Sequence, residues 1–317
     1  MPNGTLVPAS YGGTKLVCVS LDTDEVIQTI TFPPNVAYPE SYFNDVRFDL
    51  RNSITESGKG VAYITDSSPS GKNGIVVVDL GTANSWRHLD GHESVLPEDG
   101  FVPFIWGTPV YSLPKGPEGP VGFVSFGSDG IAISKDGEKL YFGAVGGRML
   151  WEVPTKGLRS AEQESAERVK QEVKALGERS VSDGFETDSL GRIWLGAIEQ
   201  NGVGYWDEGS GRVEVVVRDP RINWVDTREY SISTSLPCCA HSSAVLEGLI
   251  STNYIHIGAK YTDFSILSQY PLVATATSTS LSTNLICFRV SIPESIDVKV
   301  HSHCFESSYQ TTPRGSF

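Results

Sequence analysis

The chain has 317 residues and a formal net charge of −13, and 39% of its residues are hydrophobic. This length supports a large core, and the acidic balance argues against nucleic acid as a partner, because neutralising phosphates requires a basic face. No run of about 18 uninterrupted apolar residues occurs, so the sequence predicts no membrane-spanning helix. The first residues lack a basic segment followed by an apolar one, so no signal peptide is predicted.

The N-terminal part of the chain reads as short strands separated by polar turns. The stretch KLVCVSLDTDEVIQTITF, at 15–32, has apolar runs on both sides of a polar turn, as in a β-hairpin. In FNDVRFDLRNSITESGKGVAYITD, at 43–66, Val46 and Phe48 alternate with polar residues, and an apolar run returns from Val61 to Ile64. The segment GIVVVDLGTANSWRHL then adds a further strand and another polar turn. Cys18 is expected to be a buried strand residue.

Two later segments repeat this pattern more plainly. GSDGIAISKDGEKLYFG at 127–143 and VSDGFETDSLGRIWLG at 181–196 each begin with Ser-Asp-Gly, and each continues through a strand, a polar turn and a second strand. Each copy is followed by another strand and turn, and the spacing of the copies suits one four-stranded propeller blade. The sequence therefore predicts an all-β fold built from β-meanders.

One segment between these copies has helical spacing. SAEQESAERVKQEVKALG, at 160–177, offers Ser160 as the N-cap and Gly177 as the stop, with a narrow stripe of Val169, Val173 and Leu176. We expect a surface helix in a connection of a blade.

The repeat pattern ends near Thr227, which predicts two regions, a partial β-propeller at 1–227 and an unpatterned tail at 228–317. Glycine nearly disappears from the tail, while Ser and Thr increase, as in LVATATSTSLSTNL. The tail is either a disordered or loosely ordered Ser/Thr-rich segment or the product of a misread coding sequence. The second alternative is favoured because the tail is too apolar for a solvated linker and too aperiodic for strands or helices. We expect it to pack poorly, with few strands.

The segments SYFNDVRFDLR, GVAYITDSS, GIVVVDLGTANSWRHLDGHESV, SDGIAISKDGEKLYF and SDGFETDSLGRIWLG together resemble the major royal jelly protein/Yellow family, in its fungal and bacterial form. The resemblance implies a six-bladed β-propeller that is normally secreted, and hence an extracellular location. Repeat counting gives about four of the six blades in this chain, so an open ring is expected. More distantly, the repeats are similar to the gluconolactonase and senescence-marker protein superfamily.

That more distant resemblance implies positions for functional residues. The superfamily's substrate-contacting Asn corresponds to Asn44 in FNDV, and two of its metal-holding positions correspond to Asp129 in GSDG and Asp183 in VSDG. Because inner strands of a propeller begin at the central channel, these residues, with Asp45 and Asp226, are expected to form a ring of oxygen atoms at the axis.

Three interpretations of this ring remain open. The Asp side chains cap their own turns by accepting backbone N–H groups. Alternatively, Asp129 and Asp183 hold Ca²⁺ or another divalent metal, which braces the channel or polarises a lactone carbonyl. In the third interpretation the ring binds a small organic ligand, such as the aromatic amines with which Yellow proteins are associated. Trp106 or Trp224 would then supply an aromatic face, unless both are packed between blades.

Three alternative functions correspond to these interpretations. The protein binds or acts on a small ligand at the axis, it is a metal-dependent lactone hydrolase, or it has a non-catalytic structural or storage role. His92, in LDGHESV, is either a general base or a histidine whose hydrogen bonds are satisfied within its own loop. The sequence does not predict the oligomeric state or decide whether the protein is an enzyme.

Overall fold

A computed structural model describes residues 13–20, 23–111, 122–220, 222 and 224–231, together with strand segments at 254–259, 286–291 and 299–300. The strands before residue 145 are β1 (Lys15–Val19), β2 (Val26–Thr31), β3 (Phe43–Asp49), β4 (Val61–Asp66), β5 (Gly74–Asp79), β6 (Ser85–His88), β7 (Phe104–Ile105), β8 (Thr108–Pro109), β9 (Ser128–Ile133) and β10 (Lys139–Ala144). The later strands are β11 (Met149–Pro154), β12 (Lys174–Glu178), β13 (Phe185–Thr187), β14 (Ile193–Ala197), β15 (Gly202–Asp207), β16 (Arg212–Arg218), β17 (Val225–Ser231), β18 (Tyr254–Ala259), β19 (Ile286–Ser291) and β20 (Lys299–Val300). The helices are α1 (Thr155–Leu158) and α2 (Gln163–Glu172), and 3-10 turns lie at Glu93–Val95 and Ile198–Gln200.

Three sheets each consist of four consecutive antiparallel strands, and we call them blade 1 (β3–β6), blade 2 (β9–β12) and blade 3 (β13–β16). Their first strands, β3, β9 and β13, contact one another in that order, and β13 contacts β17 in turn. The blades are therefore arranged around a common axis with their first strands innermost. The chain is an all-β, incomplete β-propeller, as the repeats predict.

The remaining strands are described by their backbone pairing. β1 and β2 form the antiparallel hairpin predicted at the N-terminus, and β1 also pairs in parallel with β19. β17 pairs with β18, and β19 pairs with β20. Most of 228–317 lies outside the described residues, so the expected poor packing of this segment stays a prediction.

The core lies between the blades, because a sheet covered on both faces must be apolar on both. β4 is buried at every position and β5 at all but its last. Between blades 1 and 2, Tyr63 and Ile75 pack with Ile131 and Phe142. Between blades 2 and 3, a second cluster contains Ala132, Tyr141, Leu150, Phe185, Ile193 and Leu195. This packing fixes the positions of the inner strands.

The predicted helix exists but is shorter than its sequence pattern indicates. α2 is preceded by Glu162, whose side chain makes no capping hydrogen bond, so Ser160 is not the N-cap. The helix ends before Val173, and 174–178 form the outer strand β12, which pairs with β11. Pairing with the open edge of blade 2 overrides helix propensity here, because it satisfies a row of backbone groups.

Part of the connection between blades 1 and 2 lies at the end of the molecule at which the inner strands begin, which we call the entrance end. It includes the hairpin β7–β8, and it packs Phe101 and Ile105 against Val181, Ile198 and Trp224. Cys18, expected to be buried, is half-buried in β1. Among the helices within the described residues, none is long and apolar enough to cross a membrane.

Candidate functional site

The acidic residues predicted at the axis lie at irregularities of the inner strands. The pairing of β3 with β4 shifts between Phe43 and Val46, which places Asn44 and Asp45 in the shift. Asp129 lies where the pairing of β9 with β10 shifts, and Asp226 lies in a similar shift between β17 and β18. A β-bulge leaves a residue out of the ladder and redirects its side chain, and bulges are frequent next to active sites.

Four of these residues come together, and we call Asp45, Asp129, Asp183 and Asp226 the axial acidic cluster. Asp129 is 4% exposed, whereas the other three are half-buried. The negative charges of Asp183, Asp45 and Asp226 all act on Asp129, and Asp183 also forms a side-chain hydrogen bond with it. Asn44 is half-buried beside Asp45 on β3. The cluster draws one carboxyl group from each of four successive inner-strand segments.

Glycines allow the inner strands to approach one another at this cluster. A Cβ atom on Gly130 would collide with the carbonyl oxygen of Asp183. A Cβ atom on Gly184 would lie 2.7 Å from the carbonyl oxygen of Asp226 and 3.3 Å from Oδ2 of Asp45. The Gly that follows Asp in both Ser-Asp-Gly repeats is therefore required by close packing of the backbones.

Two hydroxyl groups connect blade 1 to blade 2 beneath the cluster. The Thr65 hydroxyl donates to the carbonyl of Asp129 at 2.7 Å and accepts from the N–H of Asp45 at 3.1 Å. The single hydroxyl proton of Ser67 is shared between the carbonyl of Ser128, at 2.7 Å, and Oδ2 of Asp129, at 3.1 Å. Sequence patterns did not indicate either residue, because both belong to β4 or its end rather than to an inner strand.

The surroundings of the Asp129 carboxyl group raise its pKa. Its Oδ1 is buried and has no hydrogen-bond partner among the described residues, and Oδ2 accepts from the Ser67 hydroxyl at 3.1 Å. Burial raises the pKa of Asp129 well above its ordinary value, and the charges of Asp183, Asp45 and Asp226 raise it further.

Aromatic residues border the cluster at the entrance end. Trp224 is 5% exposed, and its indole N–H donates to Oδ2 of Asp183 at 2.6 Å. The rings of Tyr42 and Phe126, which precede β3 and β9, have centroids 6.1 Å apart, and both residues are half-buried. Sequence reasoning missed Tyr42 and Phe126, although each lies only three residues before an acid of the cluster.

The other two residues considered from sequence lie elsewhere. Trp106 is 56% exposed, and its indole N–H donates to the carbonyl of Pro220, so it is not packed between blades. His92 precedes a 3-10 turn, where its Nδ1 accepts from the N–H of Ser94 at 3.2 Å. Its side chain therefore caps the 3-10 turn of its own loop.

The described residues do not fit a calcium site as they are placed. They contain no group of three or more His, Cys, Asp or Glu side chains positioned to hold one metal ion. Ca²⁺ takes six to eight oxygen ligands, and Asp129 with Asp183 supplies only a hydrogen-bonded pair of carboxyl groups. Metal binding by Asp129 and Asp183 stays a prediction, and no chemical step is derived through a metal.

A separate cavity of about 270 Å³ lies between the 93–98 segment and blade 2. Its lining consists of Glu93, Leu96, Pro97, Glu98, Ala144, Gly147, Met149 and Trp151. None of the residues predicted from sequence belongs to it, so the cavity and the axial acidic cluster are distinct features.

Solved structures similar to this chain have low identity to it. They include a chain of the nidogen/laminin complex (11% identity, TM-score 0.38, covering 63% of this chain and 57% of that one). Regucalcin, a calcium-binding protein from Agrobacterium tumefaciens, aligns with 15% identity and a TM-score of 0.33, covering 64% of this chain and 55% of that one. A gluconolactonase from Xanthomonas campestris aligns with 13% identity and a TM-score of 0.36, over 64% and 55%. The chain thus spans little more than half the length of these structures.

Sequence comparison gives a more specific result. No curated protein matches the chain. A family model described as "Major royal jelly protein" matches residues 4–227, which include all three described blades and every member of the axial acidic cluster. The chain belongs to the major royal jelly protein family.

Proposed function

We propose that this protein binds a small aromatic amine at the axial acidic cluster, with the ammonium group at the half-buried carboxylates. The observation that carries the proposal is the placement of Asp45, Asp183 and Asp226 close enough to the buried Asp129 for their negative charges to act on its carboxyl group. A site with this local excess of negative charge attracts a cation, and the net charge of −13 adds to the attraction.

The surroundings of the cluster support an aromatic ligand in particular. The Tyr42–Phe126 pair offers half-buried ring surface at the entrance end, beside the first residues of β3 and β9. Aromatic faces attract cations and pack against other rings, so they suit a ligand that contains both groups. In the family resemblance described above, the whole protein would meet such a ligand outside the cell.

Calorimetric titration with 2-phenylethylamine and with its neutral analogue 2-phenylethanol tests the proposal. We expect the amine to bind and the alcohol to bind at least about tenfold more weakly, because an ion pair in a partly desolvated site is lost. Asp183→Asn should weaken amine binding by about tenfold or more. The matched control is Glu164→Gln, which removes one exposed negative charge on α2 and should leave the affinity within about twofold.

Equal binding of the amine and the alcohol would contradict the proposal. So would an Asp183→Asn variant with unchanged amine affinity, because the cluster would then not be the binding site.

A further inference from the structure

The cavity between the 93–98 segment and blade 2 lies where the interface of blades 1 and 2 is not completely filled. Met149, Trp151 and Val153 alternate along β11, so their side chains share one face of the strand. Val153 is fully buried in the apolar cluster between blades 1 and 2, and Trp151 packs partly against that cluster. Because β11 begins at the entrance end, the same face continues there into the cavity, which Met149 and Trp151 line.

Apolar side chains form most of the wall of this cavity. Leu96 and Pro97 line it on the side of the 93–98 segment, and Met149 and Trp151 line it on the side of blade 2. All four residues are half-buried. A water molecule takes about 30 Å³ of the liquid, so a cavity of about 270 Å³ has room for a ligand of roughly seven to nine non-hydrogen atoms. Among aromatic rings, the indole face attracts cations most strongly.

Two glutamates supply the only charged groups among the described residues that line the cavity. The backbone of blade 2 holds Glu98 in place, because its N–H donates to the carbonyl of Gly146 at 2.8 Å and its Oε1 accepts from the N–H of Arg148 at 2.7 Å. A Cβ atom on Gly147 would lie 2.9 Å from that Oε1, so the glycine leaves room for the carboxylate. Glu93 and Glu98 are both exposed, so their carboxylates lie at the mouth of the cavity.

The guanidinium of Arg148, next to the cavity, has its charge paired with a different glutamate. It donates to both carboxylate oxygens of Glu199 at 2.7 Å, and it lies over the ring of Phe101, 4.9 Å from the centroid. The cavity thus combines an excess of negative charge with an apolar, aromatic wall. A cation that carries apolar surface complements both features.

The wall also determines which kind of cation fits. A primary ammonium has three N–H donors, and removing a donor from water without an acceptor is unfavourable. The apolar side chains offer no strong acceptor, and one oxygen of Glu98 already accepts from Arg148. A quaternary ammonium has no N–H donor, so its methyl groups contact the apolar wall while its charge interacts with the ring of Trp151 and with the carboxylates.

We propose that this cavity is a binding site for a small quaternary ammonium compound, a ligand class different from the aromatic amines of the proposed function. Trp151 supplies the cation–π face, the other apolar residues contact the methyl groups, and Glu93 and Glu98 attract the charge. The site shares no residue with the axial acidic cluster, so it does not depend on the proposed function.

Calorimetric titration of the full chain with choline and with its neutral isostere, 3,3-dimethyl-1-butanol, tests the requirement for charge. The two compounds have nearly the same shape, and we expect choline to bind about tenfold or more tightly, as for a cation–π contact in a partly desolvated site. Ethanolamine, the primary ammonium with the same chain, should bind at least about tenfold more weakly than choline, because its N–H donors would lose water without gaining acceptors.

Variants of the lining residues test the location. Glu93→Gln combined with Glu98→Gln removes both charges but keeps an oxygen for the N–H of Arg148, and it should weaken choline binding by about tenfold without changing the affinity for 3,3-dimethyl-1-butanol. In Trp151→Leu the wall stays apolar but loses its ring, so choline and the alcohol should bind within about threefold of each other. The matched control is Glu164→Gln, exposed on α2, which should leave the choline affinity within about twofold.

Trp151 also packs against the core, so Trp151→Phe provides a second variant at this position. It retains an aromatic face with a weaker attraction for cations, and its preference for choline should lie between those of the wild type and Trp151→Leu. Thermal unfolding of each variant shows whether the fold is intact before binding is measured. The two glutamates are exposed, so the double glutamine variant tests the site without a change in the core.

Several results would overturn the inference. A wild type that does not bind choline, or that binds the neutral alcohol equally well, would exclude a cation site. Ethanolamine binding as tight as that of choline would exclude selection of a quaternary ammonium. Unchanged choline affinity in the double glutamine variant, or an undiminished preference for choline in folded Trp151→Leu, would show that choline binds elsewhere on the protein.

Discussion

At the scale of single residues, buried ionisable side chains outside the axis also fix the structure. His88 is 2% exposed at the end of β6, and its Nε2 lies 2.9 Å from the carbonyl of Ser160 in the connection between β11 and β12. Its Nδ1 is buried and has no partner among the described residues. Burial lowers the pKa of His88 below its ordinary value of 6.5, since the charged ring would place a second N–H where no acceptor is available.

This histidine makes the stability of the protein depend on pH. The unfolded chain binds a proton at His88 at a higher pH than the folded chain does, so the free energy of unfolding decreases as pH falls from 6.5 towards the folded pKa. His88→Gln keeps a donor for the Ser160 carbonyl but does not titrate. We expect the loss of stability between pH 7.5 and 5.5, measured by urea unfolding, to be smaller in His88→Gln than in the wild type. An equal loss in both proteins would show that His88 does not contribute.

At the scale of elements, the inner strands approach one another more closely than ordinary side chains permit. Gly130 on β9 lies against the backbone at Asp183, and Phe185 packs 3.0 Å from where its Cβ would be. The bulges in β3, β9 and β17 then direct Asp45, Asp129 and Asp226 towards the point at which these strands meet. The site depends on the fit between whole blades.

We expect Gly130→Ala to reduce the free energy of unfolding by about 1–3 kcal/mol, because the added methyl group forces blades 2 and 3 apart. It should also weaken amine binding, since the distance between Asp129 and Asp183 increases. The matched control is Gly209→Ala in the turn between β15 and β16, where the nearest atom would be 3.4 Å from the new Cβ. That change should alter the free energy of unfolding by less than about 0.5 kcal/mol. Equal effects of the two substitutions would contradict close packing at Gly130.

At the scale of the whole molecule, the three four-stranded blades differ from the flanking sheets in which strands pair with one another. Blades 1 to 3 are built from consecutive strands, so their pairing is local in sequence. β1 pairs with β19 and β17 pairs with β18, so these sheets include strands from the 228–317 segment, which lacks the repeat pattern. The predicted boundary at 227 falls within β17, and it stays a prediction.

Hydrogen exchange measured by mass spectrometry tests this boundary. From the scarcity of glycine turns and the lack of periodicity, we expect peptides from 228–317 to exchange faster than peptides from β4, β10 and β14, which are buried between blades. Slow exchange at 254–259 and 286–291, comparable to that in β4, would contradict the boundary and support the pairing of β18 and β19.

Much of the fold was predictable from local patterns, and part of the site was not. Alternating apolar residues on either side of short glycine-containing turns indicate the hairpins of blades 1 to 3, because both signals depend on neighbouring residues. Helix spacing at 160–177 was misleading for Lys174–Glu178, where the free edge of β11 competes for the backbone. Repeated Asp residues and the family resemblance indicated Asn44, Asp45, Asp129, Asp183 and Asp226 as candidates.

The sequence by itself thus determined the all-β blades and the placement of acidic residues at the start of the inner strands. Each of these features depends only on residues that are close together in the sequence. Only the tertiary structure decided that Asp129 is the buried member of the cluster, that Trp224 donates to Asp183, and that the Arg47 guanidinium donates to β13. Burial, charge interactions and contacts between blades arise from residues that are far apart in the chain. No local sequence pattern predicts these interactions, because they form only when the blades pack around the axis.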